Sequence, residues 1–189
     1  MIRPRVFLPY TQLDPWVLSM LQAEPIDLTL VEMTTTYSYF ELLSQLWAEG
    51  ETFVIVEHDI LVYPGAIQEI WDCEVPFCGK PYVIHGGFAA CFGCTKFDAS
   101  FLRAFPNAMK MGGARQHPMG LGTGYTHWET LDSRIVAALS ELGWSCNGSQ
   151  WPHQHWPSVR HLHYDPLPER LKDPPPAMVD RADWRMPAQ

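Results

Sequence analysis

Residues 53–64 read FVIVEHDILVYP, an apolar run that carries straight into Glu57, His58 and Asp59 and then resumes. A run with no polar position suits a strand covered on both faces, the pattern of a central strand in an α/β sheet. Burying an unpaired carboxylate costs on the order of several kcal/mol. The triplet therefore either closes the strand at its solvent end or belongs to a site that needs it. In an open α/β sheet ligands collect outside the carboxyl ends of the strands, which is where these three residues emerge.

The flanking sequence supplies the rest of such a sheet. RVFLP at residues 5–9 predicts a first strand, and Asp14 before Pro15 predicts an N-cap and first turn for a helix running to about Gln22. IDLTLV at residues 26–31 alternates as a second strand. From Thr36, the apolar residues Tyr37, Phe40, Leu43, Leu46 and Trp47 recur at helical spacing, and Gly50 stops that helix. FVIVEHDI is then the third strand of a strand–helix alternation.

Beyond Pro64 and Gly65, AIQEIWD predicts a short helix, residues 88–95 a strand and FDASFLRAF another helix. Residues 111–126, MGGARQHPMGLGTGYT, carry five glycines and predict a loop. GLGTG within it lacks the third glycine of a dinucleotide fingerprint and follows no strand. Residues 128–142, WETLDSRIVAALSEL, form the clearest amphipathic helix, ended by Gly143. The expected fold is a single-domain, Rossmann-like mixed α/β sheet with helices on both faces. It spans residues 1–165, followed by a Pro-rich C-terminal arm over residues 166–189.

Composition narrows the function classes. Of 189 residues, 47% are hydrophobic and 13% aromatic, which speaks for a filled core and against disorder. A formal net charge of -8 leaves no broad basic face for tight non-specific nucleic-acid binding. The start MIRPRVFLPYTQ lacks an apolar signal core, and no apolar run reaches the roughly 20 residues that span a bilayer, so a cytoplasmic protein without membrane contact is expected. Five scattered cysteines suit reduced thiols; Cys91 and Cys94 form a lone CxxC, read as small buried thiols in a strand.

Three groups of residues can carry chemistry. Alternation along an extended FVIVEHDI puts Glu57 and Asp59 on one side and His58 on the other, so that two carboxylates converge and call for a hard divalent cation, Mg2+ or Mn2+. In VRHLHY, an extended segment would set His161 and His163 on one face as imidazole ligands. A rival set of four histidines, His153, His155, His161 and His163, would mean zinc or iron and a metallohydrolase. Glu129 and Asp132, at the start of the amphipathic helix, are candidate general bases, or else partners of the helix dipole.

VEHD after an apolar strand, then AACFGCTKF, then WETLDSRIVAALSELGW and a late HLH, resembles in order and spacing the nucleotide-sugar glycosyltransferases of the A-type fold. The resemblance covers roughly residues 5–165 and implies a UDP-sugar-like donor lying over the sheet, its diphosphate clamped by Mn2+ or Mg2+. Asp59 matches the last acid of that family's Asp-x-Asp motif, a metal ligand, while Glu57 stands where the first Asp would be. His163, or else His161, matches the late metal ligand; Tyr10 and Glu32 fall where the family holds the nucleoside, and His58 and Trp128 where they could line the donor site. The family's acid pair at the helix start is broken here, since Thr130 follows Glu129, and the implied base is Asp132 with Glu129 as the alternative. The implied reaction is inverting transfer to a hydroxyl acceptor that the sequence does not identify: a modified nucleic-acid base, a small saccharide or a protein. A noncatalytic nucleotide-sugar-binding module is the further alternative.

Overall fold

The computed structural model describes residues 3–84, 87–89, 91–114, 130–149, 151–155 and 158–163. In chain order the elements are β1 (Arg5–Tyr10), α1 (Pro15–Gln22), β2 (Asp27–Glu32), α2 (Ser38–Glu49), β3 (Phe53–Val56), β4 (Ile60–Val62), α3 (Ala66–Trp71) and β5 (Phe77–Gly79). They continue with β6 (Tyr82–Ile84), β7 (Gly87–Ala89), β8 (Cys94–Phe97), α4 (Ala99–Ala104), α5 (Ala108–Ala114), α6 (Leu131–Glu141), β9 (His153–Gln154) and β10 (Val159–His161). Six strands form one sheet in the order β2-β1-β3-β8-β5-β9. β2, β1 and β3 are parallel, β8 runs against both β3 and β5, and β9 lies parallel to β5. Two antiparallel pairs, β4 with β10 and β6 with β7, stand beside it.

The apolar run that opened the sequence is the centre of this sheet, and all four residues of β3 are fully buried. Their alternation divides two cores. Val54 and Val56 join Val6, Leu8, Val17, Leu21 and Ile67 of β1, α1 and α3 on one face. Phe53 and Ile55 join Phe7, Leu43, Trp47, Phe101 and Ile135 of β1, α2, α4 and α6 on the other. Each such side chain withdrawn from water stabilises the fold by about 1.5–3 kcal/mol. Helices therefore cover both faces, as expected.

Local signals act where they were read. The Asp14 carboxylate accepts from the backbone N–H groups of Trp16 and Val17, and Pro15 opens α1. Gly50 ends α2 at φ 68°, a left-handed conformation that glycine adopts without a Cβ penalty.

Four expectations need correction. β3 stops at Val56, so Glu57, His58 and Asp59 lie in a turn and not in the strand. α2 starts at Ser38 and buries Tyr39, whereas Tyr37 is 49% exposed. The strand expected over residues 88–95 is interrupted: β7 ends at Ala89 and β8 begins at Cys94. Gly93 in that break donates its N–H to the Tyr82 hydroxyl, and a Cβ there would stand 2.5 Å from that oxygen. Finally, Gly112 and Gly113 lie inside α5, not in a loop, because their bare backbone lets α5 close on α6 and α2; a Cβ on Gly112 would meet Ile135 Cα at 3.0 Å. The rest of the expected glycine loop, residues 115–126, and the Pro-rich arm fall outside the described residues.

Candidate functional site

β1, β2 and β3 run parallel, so Tyr10, Glu32 and the turn after Val56 share the carboxyl edge of the sheet. Tyr10 and Glu32 are register partners there, and Met33 donates its N–H to the Tyr10 carbonyl at 2.8 Å.

The turn itself is held from three sides. Ile60 N–H donates to the Glu57 carbonyl at 3.0 Å, and Glu57 N–H donates to the Gly93 carbonyl at 2.9 Å. Antiparallel pairing of β10 with β4 sets His161 opposite Ile60, and Leu162 N–H donates to the Asp59 carbonyl at 2.8 Å. That ladder carries a residue 102 positions away onto the turn: His161 Nε2 lies 2.9 Å from Asp59 Oδ2. The other ring nitrogen, Nδ1, lies 3.2 Å from the Val83 carbonyl oxygen. Both nitrogens thus face acceptors, whereas a neutral imidazole has a single N–H. The ring satisfies both as an imidazolium, or with a cation taking the place of the proton on Nε2.

The charges respond accordingly. Burial pushes the Asp59 carboxyl up, but the hydrogen bond and charge of His161, with the charge of His58, hold it below its ordinary value. Burial lowers His161, yet its bond to Asp59, the Asp59 charge, the Val83 carbonyl and the Glu57 charge leave it raised. Glu57 is pushed up to about 7 by burial and by the charges of Asp59 and Asp132, against the hydrogen bond from Tyr39 and the charge of His161. The Tyr39 hydroxyl donates to Glu57 Oε1 at 3.0 Å.

Asp132, in the first turn of α6, is also raised by burial, although Ser133 N–H donates to it at 2.6 Å and the neighbouring Cys91 thiol acts to lower it. The Cys91 thiol, pushed up to about 12 by burial and the Asp132 charge, stays protonated and inert as a nucleophile near neutrality. Tyr82 packs edge-on against the His161 ring at 5.1 Å between centroids.

The structure therefore gathers Glu57, Asp59, Asp132 and His161 into one electrostatically coupled group, through the turn geometry and not through strand alternation. His58 is half-buried in the same turn. His163 does not continue β10; it follows in a turn, exposed, with its ring centroid 6.2 Å from that of His161. Glu57, Asp59 and the late histidines do not converge as a ready trio: among the described residues the one group of three ligand atoms within 4.8 Å of one another is Cys73, His153 and His155. The four histidines expected as a rival ligand set accordingly fall into two separate groups. Trp128 and Glu129 lie outside the described residues.

Sequence reading missed Tyr39, Tyr82 and Cys91. Tyr39 was concealed by a helix start placed two residues early. Tyr82 carries no local signal, and Cys91 looked like core because its CxxC was read as strand.

Together these features define a mixed α/β fold with a carboxylate–imidazole site at the carboxyl edge of its parallel strands. No protein-family model matches the chain, and no curated protein matches it. Among solved structures, the fold is similar to a glycosyltransferase involved in the glycosylation of the major capsid of PBCV-1, at 8% identity and a TM-score of 0.50 over 97% of each chain. It is also similar to A197 from STIV, at 12% identity and a TM-score of 0.50, over 84% of this chain and 83% of that one. No described helix is long and apolar enough to cross a membrane.

Proposed function

We propose that the chain is a metal-dependent glycosyltransferase that moves a sugar from a nucleotide-sugar donor, of the UDP-sugar kind, to a hydroxyl acceptor with inversion. The observation that carries the reading is the Asp59–His161 contact beside Glu57 and Asp132, on the sheet edge where α/β folds bind ligands. Similarity of fold to the capsid glycosyltransferase of PBCV-1 supports it.

The residues fit a divalent cation. The 2.9 Å between Asp59 Oδ2 and His161 Nε2 is close to the separation of neighbouring vertices in an octahedron with ligands at about 2.1 Å. The Val83 carbonyl takes the Nδ1 proton, which turns the Nε2 lone pair toward Asp59. Three carboxylates, Glu57, Asp59 and Asp132, are coupled here, and a donor diphosphate would add further negative charge. Asp59 and His161 would hold Mn2+ or Mg2+; Glu57 and the exposed His163, whose ligand atoms do not already meet theirs, would join only by a shift of their side chains. A cation held there would supply charge neutralisation for the leaving diphosphate, typically worth several kcal/mol of barrier.

The protein's own groups do the rest. Tyr10 and Glu32, adjacent on β1 and β2, hold the nucleoside. Glu57 at about 7 is partly protonated near neutrality, which lessens repulsion with Asp132.

A thermal-shift screen of nucleotide diphosphosugars with and without Mn2+ tests this reading. A true donor at about 100 times its Kd stabilises the folded chain by about 2.7 kcal/mol, and in a chain of this size each kcal/mol raises Tm by roughly 2–4 °C. The expected result is a shift that needs Mn2+. No shift for any donor, or the same shift under chelation, would overturn the metal-dependent reading.

A further inference from the structure

The second histidine pair is not idle surface. His153 opens β9 and His155 follows it; β9 is a two-residue strand at the edge of the main sheet whose pairing to β5 is confined to Cys78–His153 and Gly79–Gln154. Cys73 lies in the connection between α3 and β5. One ligand atom from each of Cys73, His153 and His155 falls within 4.8 Å of the others. Tetrahedral zinc, with Zn–N at about 2.0–2.1 Å and Zn–S at about 2.3 Å, spaces its ligand atoms about 3.3–3.8 Å apart, within a small adjustment of that group.

His155 is already oriented as a ligand would be. Its Nδ1 lies 3.1 Å from Glu69 Oε1, so the Nδ1 proton is taken by a carboxylate. Its Nε2 is buried and has no hydrogen-bond partner among the described residues. A buried acceptor left without a partner is costly, and a carboxylate behind the distal nitrogen is the arrangement that orients metal-bound histidines. Glu69 is itself anchored by the fully buried Lys80, and Lys96 bonds the Cys73 carbonyl, so the cradle is built from ordered groups.

We propose that Cys73, His153 and His155 form a Zn2+ site, with Glu69 as the carboxylate behind His155, that fastens the short edge strand β9 to the α3–β5 connection. Thiolate with imidazole selects a soft or borderline ion such as zinc over the hard cations suited to the carboxylate edge. The site does not depend on the sugar-transfer reading.

The full chain, stripped with chelator, is titrated with Zn2+ and with Co2+ as a spectroscopic probe. The expected result is binding of about one zinc per chain and a near-ultraviolet thiolate-to-Co2+ band. Cys73→Ser abolishes that band, and Glu69→Gln weakens zinc affinity by about 10- to 100-fold. Failure of the wild-type chain to bind micromolar Zn2+, a Co2+ spectrum without a thiolate band, or the same band in folded Cys73→Ser would overturn the proposal. Should the variants not fold, protection of Cys73 from alkylation by bound Zn2+ in the wild-type chain, read by peptide mass mapping, decides it, and equal alkylation of Cys73 with and without Zn2+ would overturn the proposal.

Discussion

Glu57 concentrates the electrostatic cost of the site in one side chain. Its folded pKa of about 7 lies above the ordinary value of 4.5, so the folded state binds its proton more tightly than the unfolded chain. For an acid shifted in this direction, stability is highest below about 4.5 and falls as pH rises through about 7. Glu57→Gln, measured by urea unfolding under chelation, should therefore gain on wild type as pH rises from about 5 to about 8, by at most about 3 kcal/mol. A stability difference independent of pH would contradict the shift and its cause. Asp132→Asn should lose turnover by about 100-fold or more while donor binding is retained, since a base acts on the acceptor proton and not on the nucleotide. Normal turnover in that variant would return Asp132 to the role of a dipole partner in the first turn of α6. The acids were legible from sequence, because a hydrophobic strand running into Glu-His-Asp is conspicuous. Tyr39 and Cys91 were not, since their partners, Glu57 and Asp132, are brought to them by tertiary packing.

At the scale of elements, the glycines of α5 are structural. Gly→Ala inside a helix ordinarily gains up to about 1 kcal/mol. At Gly112 the added Cβ would meet the backbone and side chain of Ile135 at 3.0 Å, and overpacking of that kind typically costs about 1–3 kcal/mol. Gly112→Ala should accordingly lower stability by about 1–2 kcal/mol, read from the urea midpoint. At Gly113 the obstacle is the tip of the Phe40 ring, a side chain that can turn aside, so Gly113→Ala should cost less. A Gly112→Ala variant as stable as wild type would mean that α5 and α6 are not in close contact. The same glycines misled the sequence reading: without knowledge of α6, two adjacent glycines signal a breaker. The early end of β3 was hidden for a related reason, since Ile60 resumes the apolar pattern after a turn that keeps its residues in the same core.

For the whole molecule, the sheet serves as a frame that brings distant segments to one edge. β3 was readable as its centre because all its residues are apolar and both faces are covered. Pairing of β10 with β4, which sets His161 on Asp59, spans 102 residues and leaves no periodic trace in so short a strand. The central claim is that Asp59 and His161 share one divalent cation. Binding of Mn2+ to the zinc-free chain, followed by loss of the electron paramagnetic resonance signal of the free ion, tests it most directly. The account predicts uptake of about one Mn2+ by wild type, weakened at least about tenfold in both Asp59→Ala and His161→Ala. Equal Mn2+ affinity in wild type and both variants would contradict it.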